Sequence, residues 1–191
     1  MDLDRVTTTS PISDDGELRL ALRTLADVEA IKSLAALYAT AVDDHDLKTV
    51  IRCFDSDGSF TRNGETVTGH QALRTYYRGL MDYYSVTLHS PGWHVVTVEA
   101  RGSARGLQTG HAESVLNGEL IRAAYRYDDR YLRRQDGRWV FAARTLSLMY
   151  VLPEDQMSTG FRDEMRIRVP GTTPRVADYP EPLHARHDCH S

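Results

Sequence analysis

The sequence has few cysteines and no long apolar run, and both absences narrow the class of protein. Only Cys53 and Cys189 occur among the 191 residues, too few for a disulfide framework and without the spacing of a zinc site. No apolar run approaches the ~18 residues of a membrane span, and the N-terminus lacks the basic stretch and apolar run of a secretory signal. We therefore expect a cytoplasmic protein that does not bind membranes.

An excess of positive charge is also missing. Lys and Arg number 23 against 27 Asp and Glu, so the net charge of -4 gives no overall attraction for nucleic acid. The chain has no phosphate-binding glycine loop, no nucleophile elbow and no HExxH pair, which argues against nucleotide use. The C-terminal tail holds a group of metal-ligating residue types without rigid supports, so we predict no metal and no cofactor. They are His184, His187, Cys189 and His190.

Composition divides the chain into an N-terminal arm (1–24), one domain (25–152) and a C-terminal tail (153–191). The first residues are rich in Thr, Ser and Asp, which is typical of a loosely held arm. The tail has a proline density that opposes regular structure, so we expect an extended wrap, a lid over a pocket or disorder. Its prolines are Pro153, Pro170, Pro174, Pro180 and Pro182.

Apolar spacing predicts three helices in the first half of the domain. Residues 28–42 repeat at helical spacing, and Asp46 is placed to cap a short second helix that runs to Phe54. A third helix is predicted over 73–81.

The remainder of the domain has the pattern of β-strands. A turn at Asp57 and Gly58 leads to a small hairpin over 59–63 and 65–68. Long runs rich in β-branched and aromatic residues come later, separated by hairpin signals such as Asn117-Gly118. These runs are 95–100, 106–117, 119–134 and 139–152. Helices followed by an antiparallel meander predict an α+β domain in which a curved sheet wraps the helices.

An acid and a histidine are the first candidates for chemistry. Asp43 lies where the first helix meets an acidic cluster, and His89 lies at the end of a β-like run over 86–89. A carboxylate that fixes the tautomer of an imidazole makes a general base. The alternative is that Asp43 caps the next helix and His89 is a core or rim residue.

Two charged residues interrupt otherwise apolar strand faces. Arg144 shares its parity with apolar residues of the last run, so we expect it to point to their face as a pocket cation or as the partner of Asp129. The residues of that parity are Val140, Ala142, Leu146, Leu148 and Tyr150. Asp129 is in phase with Tyr127, which is a candidate pocket residue or a simple core aromatic.

Several segments together resemble the SnoaL-like branch of the NTF2-like superfamily over about residues 25 to 152. They are YATAVDDHDL leading to CFDSDGSF, VTLHSPGWHVVTVEARGSARG and YRYDDRYLRRQDGRWVFAAR. The resemblance implies a cone of N-terminal helices packed in a curved, mainly antiparallel sheet. Cofactor-free dehydratases and dehydrochlorinases belong to this branch, and polyketide cyclases, isomerases and noncatalytic subunits share the fold.

The resemblance also implies roles for particular residues. Asp43 would orient His89, whose other ring nitrogen abstracts a proton, and Arg144 would stabilise a departing anion. His111 matches a second pocket histidine of the family, with surface exposure as the alternative. Tyr38 is a binding candidate, although it stands about 140° from Asp43 on an ideal helix.

We therefore predict a cofactor-independent lyase, dehydratase-like, that acts on a small cyclic or polyketide-like substrate. Asp43, His89 and Arg144 are the catalytic candidates. Tyr38, His111, Tyr127 and Asp129 are the substrate-binding candidates. An isomerase or cyclase is the first alternative, and a noncatalytic ligand-binding or assembly subunit is the second. We also expect a homo-oligomer, a dimer or larger, because the long strands are partly apolar.

Overall fold

The computed structural model describes residues 7, 9, 11–99 and 102–180, which form helices enclosed by a six-stranded sheet. The helices are α1 (Asp15–Asp43), α2 (Leu47–Arg52), α3 (His70–Tyr83), a 3-10 helix (Glu154–Gln156) and α4 (Met157–Gly160). The strands are β1 (Phe54–Arg62), β2 (Glu65–Thr68), β3 (Val86–Val98), β4 (Ser103–Leu116), β5 (Glu119–Arg133) and β6 (Trp139–Pro153). This arrangement confirms the predicted α+β cone.

Helix α1 begins inside the segment that we expected to be an arm. The Asp14 side chain caps it by accepting a hydrogen bond of 2.9 Å from the backbone N–H of Glu17. The Glu17 carboxylate accepts in turn from the backbone N–H of Ser13, at 2.7 Å. This reciprocal capping was readable in the sequence as an acid followed by Glu three residues later. The predicted arm is wrong from Asp15 onward, because the polar composition of the segment masks this capping signal.

The sheet has the strand order β2-β1-β6-β5-β4-β3. Strand β1 pairs with β6 in parallel, and every other pair is antiparallel. Asp57 and Gly58 do not form the predicted turn: they lie within β1, where the pairing shifts between Phe54 and Ser59. The inner face of the sheet and the buried faces of α1 and α3 share one apolar core.

Strand β6 does not alternate along its whole length as predicted, because two bulges interrupt it. The pairing with β5 skips Ala142 and Met149, so each bulge moves the following residues to the other face. Phe141 therefore faces the main core together with Leu148, and Val151 joins them beyond the second bulge. Only the central part of the predicted parity, from Arg144 to Leu148, holds.

His89 lies within a strand and not at the end of one. Strand β3 continues through Pro91 because β3 is a sheet edge, where a missing N–H does not break a ladder. An irregularity between Pro91 and His94 then shifts the pairing with β4.

The described part of the tail wraps the sheet. Ile167 is buried and bridges both Val151 and Arg175. The Asp178 carboxylate accepts a hydrogen bond of 2.7 Å from the backbone N–H of Leu148. The metal-ligating candidates at 184, 187, 189 and 190 lie outside the described residues. Within the described ranges, no helix combines the length and the hydropathy that crossing a membrane requires.

Candidate active site

An internal cavity of about 110 Å³ opens between α1, α3 and the inner face of the sheet. Its walls are mostly apolar and aromatic, which suits a small organic ligand. The lining residues from the helices and their ends include Tyr38, Val42, His45, Tyr77, Leu80, Met81 and Tyr84. Those from the sheet include Phe60, Arg62, Thr87, His89, Ala112, Ser114, Tyr125, Tyr127, Leu146 and Leu148. None of the described tail residues beyond Val151 lines this cavity.

Asp43 holds His89 at two points. The Asp43 Oδ1 atom lies 2.6 Å from Nδ1 of the imidazole, and its Oδ2 atom accepts a hydrogen bond of 2.8 Å from the backbone N–H of His89. The two side chains are only 15% and 17% exposed. Asp46, not Asp43, caps α2 by accepting from the backbone N–H of Thr49 at 3.0 Å. The helix-capping alternative for Asp43 is therefore wrong.

The electrostatics of this pair fix the histidine tautomer. Burial raises the pKa of the Asp43 carboxyl, but the hydrogen bonds and charge of His89 outweigh burial and leave this pKa below its usual value. An ionised carboxylate only accepts hydrogen bonds, so Nδ1 of His89 must carry the proton that it donates. The Nε2 atom is then left as the basic nitrogen of a residue that lines the cavity.

A tyrosine stands beside the histidine. The rings of Tyr125 and His89 are 5.8 Å apart and edge to face. Tyr125 crosses β4 at Gly110, its register partner, where any Cβ would overlap the tyrosine ring. Burial raises the pKa of Tyr125, so its hydroxyl remains a proton donor at neutral pH.

Tyr38 and Tyr127, both predicted to bind substrate, line the same cavity. The Tyr38 and Tyr77 hydroxyls are 2.8 Å apart, and the Tyr38 ring packs edge-on against Tyr127. The end of α1 therefore contributes Tyr38 to the cavity and Asp43 to the His89 contact, although they stand far apart around the helix.

Arg144 and Asp129 do not line the cavity. They form a fully buried ion pair, with Nε to Oδ1 at 3.0 Å and Nη2 to Oδ2 at 3.1 Å, and Nη2 also donates to Gln108 at 2.7 Å. The guanidinium lies against the faces of Tyr127 and Tyr38, with ring-centre distances of 3.7 and 4.4 Å. The structure thus shows the ion-pair alternative, with the tyrosines between Arg144 and the cavity.

His111 is exposed and lies apart from the cavity. It alternates along β4 with Ala112, which lines the cavity, so its side chain points to the opposite face of the sheet. The predicted binding role of His111 therefore has no support from its position.

Arg62 is a cavity residue that the sequence analysis missed. It shares its strand parity with buried Phe60, the same signal that singled out Arg144. His45 also lines the cavity, next to the end of α1, in a left-handed backbone conformation with φ of 54°.

Helices enclosed by a curved, mainly antiparallel sheet around an internal cavity define the NTF2-like class of proteins. Within this class, the family model of the SnoaL-like domain matches residues 23–145. The chain therefore belongs to the SnoaL-like family. A search of curated protein sequences found no match.

Solved structures share this fold. A scytalone dehydratase-like protein from Novosphingobium aromaticivorans is 17% identical, with a TM-score of 0.64 over 81% of this chain and 93% of that one. A hexachlorocyclohexane dehydrochlorinase of type 3 from Novosphingobium barchaimii is 20% identical, with a TM-score of 0.65 over 70% and 93%. An NTF2-like protein from N. aromaticivorans is 25% identical, with a TM-score of 0.59 over 72% and 92%. Enzymes of the dehydratase and dehydrochlorinase type are thus among the proteins that share this fold.

Proposed function

We propose that the protein is a cofactor-independent lyase of the dehydratase type, acting on a small cyclic or polyketide-like molecule. The observation that carries this proposal is the two-point contact of Asp43 with His89, at 2.6 and 2.8 Å, on the wall of an internal cavity. A neutral imidazole held in one tautomer is a base suited to proton abstraction near neutral pH.

In the proposed reaction, Nε2 of His89 takes a proton from the carbon next to a carbonyl group. The electron pair of the broken C–H bond forms an enolate, and the Asp43 carboxylate stabilises the imidazolium. The enolate then expels the hydroxyl group of the neighbouring carbon. The Tyr125 hydroxyl donates a hydrogen bond to the oxygen of this leaving group. With the abstracted proton, the departing hydroxide becomes water, and the product is a conjugated enone. Arg144 supports the walls from behind Tyr127 and has no direct part in this scheme.

A small β-hydroxy ketone, 3-hydroxycyclohexanone, tests this chemistry. In deuterated water, NMR follows two events with one sample: deuterium exchange at the carbon between the two oxygen-bearing carbons, and formation of cyclohexenone. We expect His89→Ala to slow both events by about 10²- to 10⁴-fold, the usual contribution of a general base. Asp43→Asn should also slow both, because the tautomer is no longer fixed.

His111→Ala is the matched control, since it removes an exposed histidine from the outer face of the same sheet. Its rates should equal those of the unmodified protein. Exchange without cyclohexenone would favour an isomerase or cyclase that uses the same base. Saturable binding of the ketone with neither event above the His89→Ala rate would instead favour a noncatalytic ligand-binding subunit.

A further inference from the structure

The cavity is also lined by a charged group, Arg62, separated from His89 by three strands of the sheet. Arg62 is the last residue of β1, His89 is on β3, and three strands of the curved sheet lie between β1 and β3. Both side chains line the same cavity. A ligand that fills it therefore has the base on one side and a guanidinium on the other.

Arg62 is half-buried and, in the described part of the chain, has no carboxylate partner like the one that neutralises the fully buried Arg144. Among the residues that the structure describes, no ion pair joins Arg62 to an acid. Its register partner across the hairpin, Glu65, is exposed. The carboxylate of Asp43 is already engaged by His89. Among the described residues, the positive charge of Arg62 thus has no carboxylate as counterion.

The hydrogen bonds of Arg62 are also incomplete. Its Nε atom is buried and has no hydrogen-bond partner within the described ranges. The hydroxyls of Tyr84 and Tyr76 interact with the guanidinium, and burial raises the pKa of Tyr76, so this partner stays neutral. A half-buried cation with a buried, unpaired N–H donor and no carboxylate partner is unfavourable, and an anionic ligand offsets that cost.

We propose that Arg62 forms an anion subsite, and that the substrate is a small cyclic molecule whose carboxylate binds Arg62 while its reactive carbon faces His89. The position of the reactive carbon rests on the proposed function, whereas the anion subsite is testable by binding alone. Guanidinium groups bind carboxylates through paired N–H donors. The cavity of about 110 Å³ is of the same order as an engineered cavity of ~150 Å³ that holds benzene, so its size matches one small ring and not a larger ring system.

Isothermal titration calorimetry at neutral pH with benzoate and benzamide tests the subsite, because these probes have nearly the same shape and differ in charge. We expect the unmodified protein to bind benzoate about 10- to 100-fold more tightly than benzamide, as for a charge-assisted hydrogen bond. Arg62→Met should abolish this preference, and Arg62→Lys should keep part of it. Arg130→Met, which removes the same charge from an exposed position on β5, should leave the preference unchanged.

Equal binding of the two probes, or no detectable binding of benzoate, would overturn the subsite, as would an Arg62→Met variant that keeps the preference. If circular dichroism shows Arg62→Met to be unfolded, the test uses the ratio of benzoate to benzamide affinity in the unmodified protein and in Arg62→Lys. A ratio of one in the unmodified protein would then overturn the subsite. The two proposals fail separately. Benzoate preference without His89-dependent exchange contradicts only the lyase, and exchange without benzoate preference contradicts only the subsite.

Discussion

At the scale of single residues, His94 is a half-buried histidine outside the cavity. Its Nε2 atom lies 3.0 Å from the Tyr131 hydroxyl, which donates to Asp129 at 2.8 Å. A hydroxyl has one proton, so Nε2 of His94 must donate to Tyr131. Burial, together with the positive charges of Arg144 and Lys32, lowers the pKa of His94 to about 4. Neutral His94 therefore completes the buried network that contains the ion pair.

This depressed pKa predicts a loss of stability in acid. Well above pH 6.5 the histidine is neutral in both the folded and the unfolded chain, so it adds no pH dependence. As the pH falls from 6.5 to about 4, His94 becomes protonated in the unfolded chain but stays neutral in the folded protein. The free energy of unfolding therefore falls with pH over this range. Urea unfolding across this range should show a shallower fall for His94→Gln than for the unmodified protein.

His111→Gln is the control for this measurement, because the exposed histidine should leave the slope unchanged. Identical slopes for His94→Gln and the unmodified protein would contradict the prediction. Asp43 does not confuse the comparison, since its lowered pKa removes stability only at still lower pH and acts in both proteins.

The sequence predicted some of these residues and not others, for physical reasons. Asp43 and His89 were paired in advance because the family resemblance assigned both. Arg62 was predictable by the parity that singled out Arg144, since it lies two residues after the buried Phe60 on the same face of β1. His94 gave no such signal, because its inward direction depends on the irregularity between Pro91 and His94.

At the scale of elements, the antiparallel meander of hairpin-connected strands was predictable, but the parallel pairing of β1 with β6 and the bulges were not. Alternation places Arg144 opposite Asp129 on adjacent strands, and the structure pairs them in register. The bulges at Ala142 and Met149 carry no glycine or proline that would mark them. The outer ends of β6 were therefore assigned to the wrong faces, whereas its centre was assigned correctly.

The ion pair between β5 and β6 should be a large determinant of stability. Arg144→Met leaves the buried Asp129 carboxylate without its cation, so we expect a loss of about 3–5 kcal/mol in the free energy of unfolding. Replacing both residues, as Arg144→Met with Asp129→Leu, should recover much of that loss because no unpaired charge remains. Urea denaturation of both single variants and the double variant gives the coupling energy.

The exposed pair of Arg138 and Asp136 provides the matched control. These side chains are 56% and 48% exposed, so Arg138→Met should change stability far less than Arg144→Met does. A loss for Arg144→Met no greater than that for Arg138→Met would show that the buried pair does not hold the strands together.

At the scale of the whole molecule, the inner and outer faces of the sheet differ in what covers them. The inner face packs on helices α1 and α3 and forms the cavity, whereas apolar residues of β3 remain exposed outside. Val86 and Leu88 point outward between the inward Thr87 and His89, and Trp93 is 82% exposed. In the described part of the chain, β3 is also an edge that pairs only with β4. Exposed apolar edges favour association with another chain.

We therefore expect the protein to form a dimer or larger homo-oligomer through the outer surface of β3. Sedimentation velocity at micromolar concentration should give at least twice the 21.6 kDa mass of one chain. Leu88→Glu combined with Trp93→Glu should shift the mass toward one chain, because burying two carboxylates in an apolar interface is unfavourable. Leu20→Glu, on the exposed early part of α1, is the matched control and should leave the mass unchanged. A single-chain mass for the unmodified protein would contradict association. If Leu20→Glu dissociates the protein and the β3 variant does not, the interface lies on α1 and not on β3.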